Sequence, residues 1–299
     1  LATQSHPPTR AALRKRGIDW FPYALLIPSA LLILVINIYP FLTGFMYSLR
    51  DGNLLKLGDF VGIENFVALL GQSDFWNAVR FSALFALFGV LGAWLVGLGL
   101  ALLLNQDIPL RGVFRVALLL PWIIPSVVSI VSWRWMLGQE SGLVNTALGW
   151  FGLDPIYFLS TGPLSQFSII IIKIWRSFPF MMLSLLAALQ TINRDMYEAA
   201  AIDGAGHLGA FRYITLPLLM PISIVLWILM TIFSVNDFET PYLLTRGGPS
   251  NATETLAVLA YRYVFGRDEV GVGAAISILT MVVLLIFAIV LLRRQRETA

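Results

Sequence analysis

Six apolar stretches, at about residues 22–48, 80–104, 114–137, 166–190, 220–243 and 270–292, recur along the chain with short polar intervals between them. A helix that crosses a bilayer needs roughly 20 mainly apolar residues, and each stretch is long enough. The pattern predicts six spanning helices in one membrane domain over residues 20–292, flanked by tails at 1–19 and 293–299. The intervals 50–79, 138–165 and 244–269 mix aromatic, polar and turn residues, and within them Phe60–Leu70 and Leu143–Phe151 have the spacing of short interfacial helices. In the second stretch Gly89, Ala93, Gly97 and Ala101 recur every four residues, a small-residue face that lets another helix come close. Pro28, Pro40, Pro121, Pro125 and Pro179 fall inside spans. Each lacks a backbone donor and frees a carbonyl, which membrane helices tolerate where protein or a water-filled cavity satisfies it.

Composition agrees with an all-α membrane protein: 58% of residues are hydrophobic and 12% charged, against roughly 25% charged in soluble domains. The mean hydropathy is +0.80. Arg10 and Arg14-Lys15-Arg16 precede the first apolar stretch in the manner of a secretory signal, but that stretch, Phe21 to Leu49, exceeds the roughly 7–15 residues of a signal core. It is expected to stay as the first span. An even number of spans puts both termini on one side. Eleven Lys and Arg fall in the tails and in the two intervals on the termini's side, against six in the longer opposite segments, so the termini are expected in the cytoplasm.

Several kinds of chemistry are excluded. The chain has no Cys, and His6 and His207 are its only imidazoles, so thiolate chemistry and a histidine-based metal site are absent. A phosphate-binding loop needs Gly-Lys-Ser/Thr, whereas Lys15, Lys56 and Lys173 follow Arg, Leu and Ile. The only carboxylates in a predicted span, Asp237 and Glu239, are expected on different sides of one helix near its outer end, which excludes a carboxylate dyad. The chain therefore reads as a non-enzyme without a cofactor of its own. No channel-filter sequence and no convincing inverted repeat is evident. A secondary solute carrier that does not use ATP remains the alternative class, and a membrane scaffold without a pathway a third.

Charge inside a span marks a candidate site. In the fourth span Lys173, Arg176, Ser177 and Phe180 stand at i, i+3, i+4 and i+7, one helical face. The fifth repeats the spacing with Met230, Phe233, Ser234 and Asp237. Counted from the outer ends of their spans at about 1.5 Å per residue, Lys173, Arg176 and Asp237 reach depths that would let them meet in one polar pocket.

The interval 191–217 differs from the others. It carries Glu198-Ala199-Ala200, a glycine cluster at Gly204, Gly206 and Gly209, and a Leu216-Pro217 stop. Asp195 and Glu198 favour a helix start, Gly204 and Gly206 break it, and a second short helix from Leu208 to Tyr213 leads on through Pro217. Small Ala199, Ala200 and Ala205 allow a partner surface to approach closely. Here the sequence resembles the permease subunits of ABC importers, whose cytoplasmic signature is filled by Glu198, Ala199, Ala200, Gly204, Ile214, Leu216 and Pro217 at the family spacing. The resemblance runs from about Tyr23 to Leu292 and narrows to carbohydrate importers of the maltose and glycerol-phosphate permease type. Its supporting segments are Phe60 to Phe66, Arg111 to Arg115 followed by Leu120-Pro121-Trp122, and Leu244 to Pro249.

The resemblance implies a type I permease fold in a bacterial-type inner membrane. It assigns Glu198, Ala199, Ala200, Asp203, Gly204, Ala205, Gly206, Leu216 and Pro217 to coupling with an ATPase. It further implies a second, homologous permease subunit, two copies of an ATP-binding subunit that hold ATP and Mg, and an extracytoplasmic binding protein that delivers a carbohydrate; membrane lipid is a partner and nucleic acid is not. By comparison with maltose-type permeases, Ser177, Phe180, Phe233, Ser234 and Asp237 take sugar-contacting positions. Arg176 and Met230 depart from that pattern. Two readings of Arg176 stay open: it favours an acidic or phosphorylated sugar, or it and Lys173 serve only to neutralise Asp237.

Overall fold

The computed structural model describes residues 20–139 and 141–298. The expected N-terminal tail, 1–19, with His6, Arg10, Arg14, Lys15 and Arg16, lies outside the described residues. The chain divides into two compact units at Gly44 and Phe45. Helix α1, residues 21–48, runs through the first unit to the start of the second, with a π turn at Leu34–Ile38. Pro40 has no N–H to close the ordinary turn, and the wider turn just before it takes up the slack. Asn37 and Thr43 donate from their side chains to the Ile33 and Tyr39 carbonyls at 2.9 and 2.8 Å.

The second unit opens with an antiparallel hairpin, β1 (Arg50–Gly52) and β2 (Leu57–Phe60), which the hydrophobic pattern does not predict. Local chemistry makes it: Asn53 Oδ1 accepts the Leu55 and Lys56 N–H groups at 3.0 and 2.8 Å and so closes the turn. The short helix expected at Phe60–Leu70 begins only after the hairpin, as α2 (Glu64–Leu70). Helix α3, Ser73–Leu104, starts a full two turns before the expected residue 80, because the polar turn carrying Asp74 and Asn77 is helical although too polar to count as span.

The third span is not one rod. Helices α4 (Arg111–Ile123) and α5 (Ser126–Met136) meet at 89°. Pro125 drives Ile124 into an extended conformation, φ −63° and ψ 131°, and the helix has to stop. After α6 (Leu143–Trp150), the fourth span is α7, Gly162–Leu189, which passes Pro179 without a break. The interval that follows holds α8, Arg194–Ile202. Helix α9, His207–Val235, is continuous from the expected second short helix into the membrane. Leu216-Pro217 is therefore not a stop: a π turn at Phe211–Thr215 precedes Pro217, as another precedes Pro40, and the helix goes on. The fifth span ends at Val235 rather than near 243, and residues Glu239–Thr245 form a separate α10. Helices α11 (Leu256–Gly266) and α12 (Val270–Thr298) follow, and α12 continues into the expected C-terminal tail as far as Thr298.

Among the described residues five helices are long and apolar enough to cross a membrane, six if the bent pair α4–α5 is counted as one span. The core lies where α3 meets α7. Ala93, Ala101, Met181, Met182 and Leu185 are fully buried there. The small-residue face of α3 is turned to α7: a Cβ added at Gly97 would lie 2.7 Å from the Met181 Cβ and 2.8 Å from the Met182 backbone nitrogen. Trp94 of the same helix donates its indole N–H to Ser223 Oγ of α9 at 3.0 Å and packs edge-on against Trp227.

Backbone stands on the far side of that gap, so it has little room to yield. Gly97→Ala is expected to force α3 and α7 apart at a cost of about 1–3 kcal/mol, seen as a lower midpoint of thermal unfolding in detergent. Gly99→Ala, where an added Cβ meets nothing within 4 Å, is expected to leave the midpoint unchanged.

Candidate functional site

Helix α7 crosses the bundle with charge on a face that packs inward. Gly89 of α3 makes room for the stem of Lys173, whose Cγ lies 3.1 Å from where a Cβ would stand, and the ammonium sits 5.5 Å from the centre of the Phe85 ring. The side chain is 8% exposed. At that depth an unpaired ammonium would be costly. Its partner is Asp237, 2.8 Å away and 10% exposed.

Asp237 holds that position because α9 ends just before it. Asn236 closes α9, and the Asp237 carboxylate holds the first turn of the next helix: Oδ1 accepts the Thr240 N–H at 3.0 Å and Oδ2 the Thr240 hydroxyl at 2.8 Å. The Thr240 hydroxyl in turn accepts from Arg176 Nη1 at 2.9 Å. Lys173, Asp237, Thr240 and Arg176 thus form one hydrogen-bonded row joining α7 to the break between α9 and α10. Arg134 of α5 donates to the Leu243 carbonyl at 3.3 Å and ties α10 from its other side.

The row borders a cavity of about 700 Å³. From α7 it is lined by Lys173, Arg176, Ser177 and Phe180, from α9 by Met230 and Phe233, and from the break by Asn236, Asp237, Phe238 and Glu239. Trp122, at the end of α4 beside the Pro125 bend, completes it, with its ring 6.1 Å from that of Phe180. Of the residues that sequence spacing puts on these two faces, only Ser234 is not on the lining; it is fully buried. Asp237 and Glu239 do not diverge on one helix as expected. The helix has ended before them, and both border the same cavity.

Trp122, Asn236, Phe238, Glu239 and Thr240 are absent from the sequence-derived set. Helical counting cannot reach them, since all five stand where a helix stops or starts. The available signal was Pro125 for Trp122 and, for the others, the polar cluster Asn236-Asp237 closing an apolar run. Among the described residues no three His, Cys, Asp or Glu side chains converge as a metal ion would require.

A second polar cluster stands at the same end of the fold. Arg262 of α11 pairs with Asp74 at 2.9 Å and Glu254 at 3.0 Å, and donates to Asn251 Oδ1 at 2.9 Å. Burial pushes the Glu254 carboxyl up to about 7, with the Arg262 guanidinium acting the other way. The cluster pins the loop 246–255, in which Arg246, Gly247, Ser250 and Asn251 all have positive φ.

The interval 191–217 is built for exposure. Asn193 caps α8 by accepting the Asp195 N–H at 3.1 Å. At the other end Gly204, at φ +83°, permits the Schellman closure: its N–H reaches the Ala201 carbonyl at 3.1 Å, and that of Ala205 the Ala200 carbonyl at 2.8 Å. The Tyr197 hydroxyl bonds Thr215 Oγ1 at 2.9 Å and fastens α8 to the foot of α9. Glu198, Ala199 and residues Ala201 to Gly206 are exposed, and Ala200 is half-buried. Around them Ile202, Leu208 and Tyr213 are 86%, 79% and 75% exposed, an apolar patch that the motif match did not single out.

Comparisons with known proteins place both features in a wider group. The chain is 40% identical over 275 residues to the trehalose/maltose transport system permease protein MalF of Thermococcus litoralis, covering 92% of this chain and 93% of that one. It is 36% identical to the sulfoquinovosyl glycerol transport system permease protein SmoG of Agrobacterium fabrum, over 85% of this chain and 83% of that one. Its fold matches a chain in the crystal structure of a bacterial alginate ABC transporter in complex with an alginate pentasaccharide-bound periplasmic protein, with a TM-score of 0.82 and 25% identity over 93% of this chain and 95% of that one. Residues 89–296, which carry the cavity, the pinned loop 246–255 and the exposed interval alike, match the binding-protein-dependent transport system inner membrane component, and the chain belongs to that family.

Proposed function

We propose that this chain is one of two membrane subunits of an ATP-driven importer, and that it passes a sugar or sugar derivative, delivered by an extracytoplasmic binding protein, through the cavity between α7, α9 and α4. The observation that carries the reading is the composition of that cavity. Trp122, Phe180 and Phe233 offer ring faces for the apolar sides of a sugar, while Arg176, Ser177 and Asn236 offer polar groups for its hydroxyls. The names of the relatives, which concern trehalose, maltose and sulfoquinovosyl glycerol, support a sugar in particular.

Within that cavity Lys173, Asp237 and Arg176 divide into two roles. Lys173 and Asp237 satisfy each other and set the break that positions Thr240. Arg176 spends one donor on a neutral hydroxyl and keeps the rest of its fork for the ligand, whether a hydroxyl or an acidic substituent. The exposed interval 191–217 faces the cytoplasm, as do both termini, and docks a separate ATPase. Exposed Ile202, Leu208 and Tyr213 supply apolar contact, Glu198 a charge, and Gly204 the chain reversal between α8 and α9. Hydrolysis on that partner drives alternating access here.

Reconstitution tests the reading. With the partner permease, the ATPase and the binding protein in proteoliposomes, uptake of labelled maltose or trehalose is expected to require internal ATP and the binding protein. Uptake driven by an ion gradient without ATP would identify a secondary carrier instead.

The division of roles gives a second expectation. Asp237→Asn alone leaves a buried ammonium unpaired and is expected to cost about 3–5 kcal/mol, lowering the unfolding midpoint in detergent. Adding Lys173→Met is expected to recover most of it, because the pair is removed together. Arg176→Gln is expected to keep the midpoint and lower uptake at least ten-fold. A double variant no more stable than the single would contradict the pairing role.

Coupling is tested at the exposed interval. Glu198→Lys and Gly204→Val are each expected to leave the chain inserted and paired with its partner permease, while uptake and binding-protein-stimulated ATP hydrolysis fall together. Valine at position 204 must take a left-handed conformation that costs roughly 1–2 kcal/mol. Normal stimulated hydrolysis in both variants would remove the coupling role.

A further inference from the structure

The cavity carries one charge that the roles above leave unused. Its lining holds two cations, Lys173 and Arg176, and two anions, Asp237 and Glu239. Lys173 and Asp237 are committed to each other at 2.8 Å. Arg176 is committed only in part, with Nη1 on the Thr240 hydroxyl at 2.9 Å. Glu239 is committed to nothing: among the described residues its carboxylate joins no ion pair and accepts no hydrogen bond.

The start of α10 brings these two groups to the same part of the wall. Glu239 and Thr240 are consecutive residues in its first turn, which the bond from the Thr240 N–H to Asp237 Oδ1 holds at 3.0 Å. Thr240 is fully buried and keeps the Arg176 guanidinium on its hydroxyl, while the residue before it lies on the cavity lining. A donor fork and a free carboxylate therefore border one space without pairing with each other.

A guanidinium only donates and a carboxylate only accepts, whereas a hydroxyl does both. Two hydroxyls of one sugar can satisfy the pair, one accepting from Arg176 and the other donating to Glu239. Charge points the same way. The four charged groups of the lining sum to zero, so a neutral ligand leaves the balance intact. An acidic ligand would pair with Arg176 but set a second anion beside Glu239, and between the apolar walls of Trp122, Phe180 and Phe233 that repulsion counts for more than it would in water.

We propose that Glu239 is a specificity-determining residue, which accepts a hydroxyl of a neutral sugar beside the donors of Arg176 and turns away sugars that carry a carboxylate, sulfonate or phosphate. The inference rests on the sugar reading above and narrows it: the free donors of Arg176 serve a hydroxyl and not an acidic substituent.

The test uses the complex of both permeases with the ATPase in nanodiscs, without the binding protein, so that the selectivity measured is that of the membrane path. Two labelled ligands of similar size are compared, maltose and the maltose analogue in which one CH2OH is oxidised to a carboxylate. The unaltered complex is expected to bind maltose at least about ten-fold more tightly than the analogue. Glu239→Gln is expected to bring the two within about two-fold of each other, and Glu239→Asp, which keeps the charge, to retain the preference. Each variant is read as a ratio, so a change in overall affinity does not enter. No preference in the unaltered complex, or a preference that Glu239→Gln leaves as it was, would overturn the proposal with the sugar reading still in place. So would loss of the partner permease from the Glu239→Gln complex, which would make that subunit the group that faces Glu239, and loss of both ligands from both variants, which would make Glu239 a structural residue. If the unaltered complex binds neither ligand, the sugar reading itself fails and takes the proposal with it.

Discussion

A lysine in the middle of an apolar helix is the constraint around which the rest of this fold is arranged. Lys173 lies on the face of α7 that packs against α3, and Gly89 opposite it leaves room for the aliphatic stem. An ammonium so enclosed has to be paired, and the carboxylate that pairs with it is Asp237 at 2.8 Å. For Asp237 to arrive there, α9 must end at Val235, and the carboxylate that balances Lys173 also holds the start of α10 by accepting the Thr240 N–H. One ion pair therefore fixes the packing of two spans, the end of a third helix and the start of a fourth.

The cavity follows from helices that stop inside the bundle. Irregular backbone at membrane depth is tolerated where it lines a polar space or is covered by protein. Two breaks meet here, the Pro125 bend that brings Trp122 in and the Asn236–Phe238 break that brings in four further groups. Prolines elsewhere do not have this effect. Pro40 and Pro217 are each preceded by a π turn that carries the helix past the missing donor, and Pro179 leaves α7 unbroken. What distinguishes Pro125 is the extended conformation of Ile124 before it.

Periodicity carried the sequence reading a long way. It located the spans and put Lys173, Arg176, Ser177, Phe180, Met230, Phe233 and Asp237 on two faces that border a common cavity. It failed where periodicity ends. Glu239, expected on one helix with Asp237, begins α10 instead, Ser234 shares the spacing of its neighbours yet is buried, and Thr240, which links Asp237 to Arg176, has no signal beyond its closeness to a carboxylate in sequence. The hairpin at 50–60 depends on Asn53, a single side-chain bond to the backbone that no apolar pattern records. At 191–217 the motif located the loop and its glycine reversal, whereas the exposure of Ile202 at the end of α8 and of Leu208 at the start of α9 has no counterpart in the motif.

The proposed path of the substrate is the space between α7, α9 and α4, opening in step with the ATPase. A chain without cysteine allows that to be measured at one position. In the reconstituted complex, a Phe180→Cys substitution places a thiol on the cavity wall, and its rate of alkylation by a small maleimide reports access. The account predicts that binding protein loaded with maltose slows the reaction and that trapping the ATPase with vanadate changes which side of the membrane the reagent must come from. A rate indifferent to sugar and to the state of the ATPase, in complexes that still transport, would contradict it.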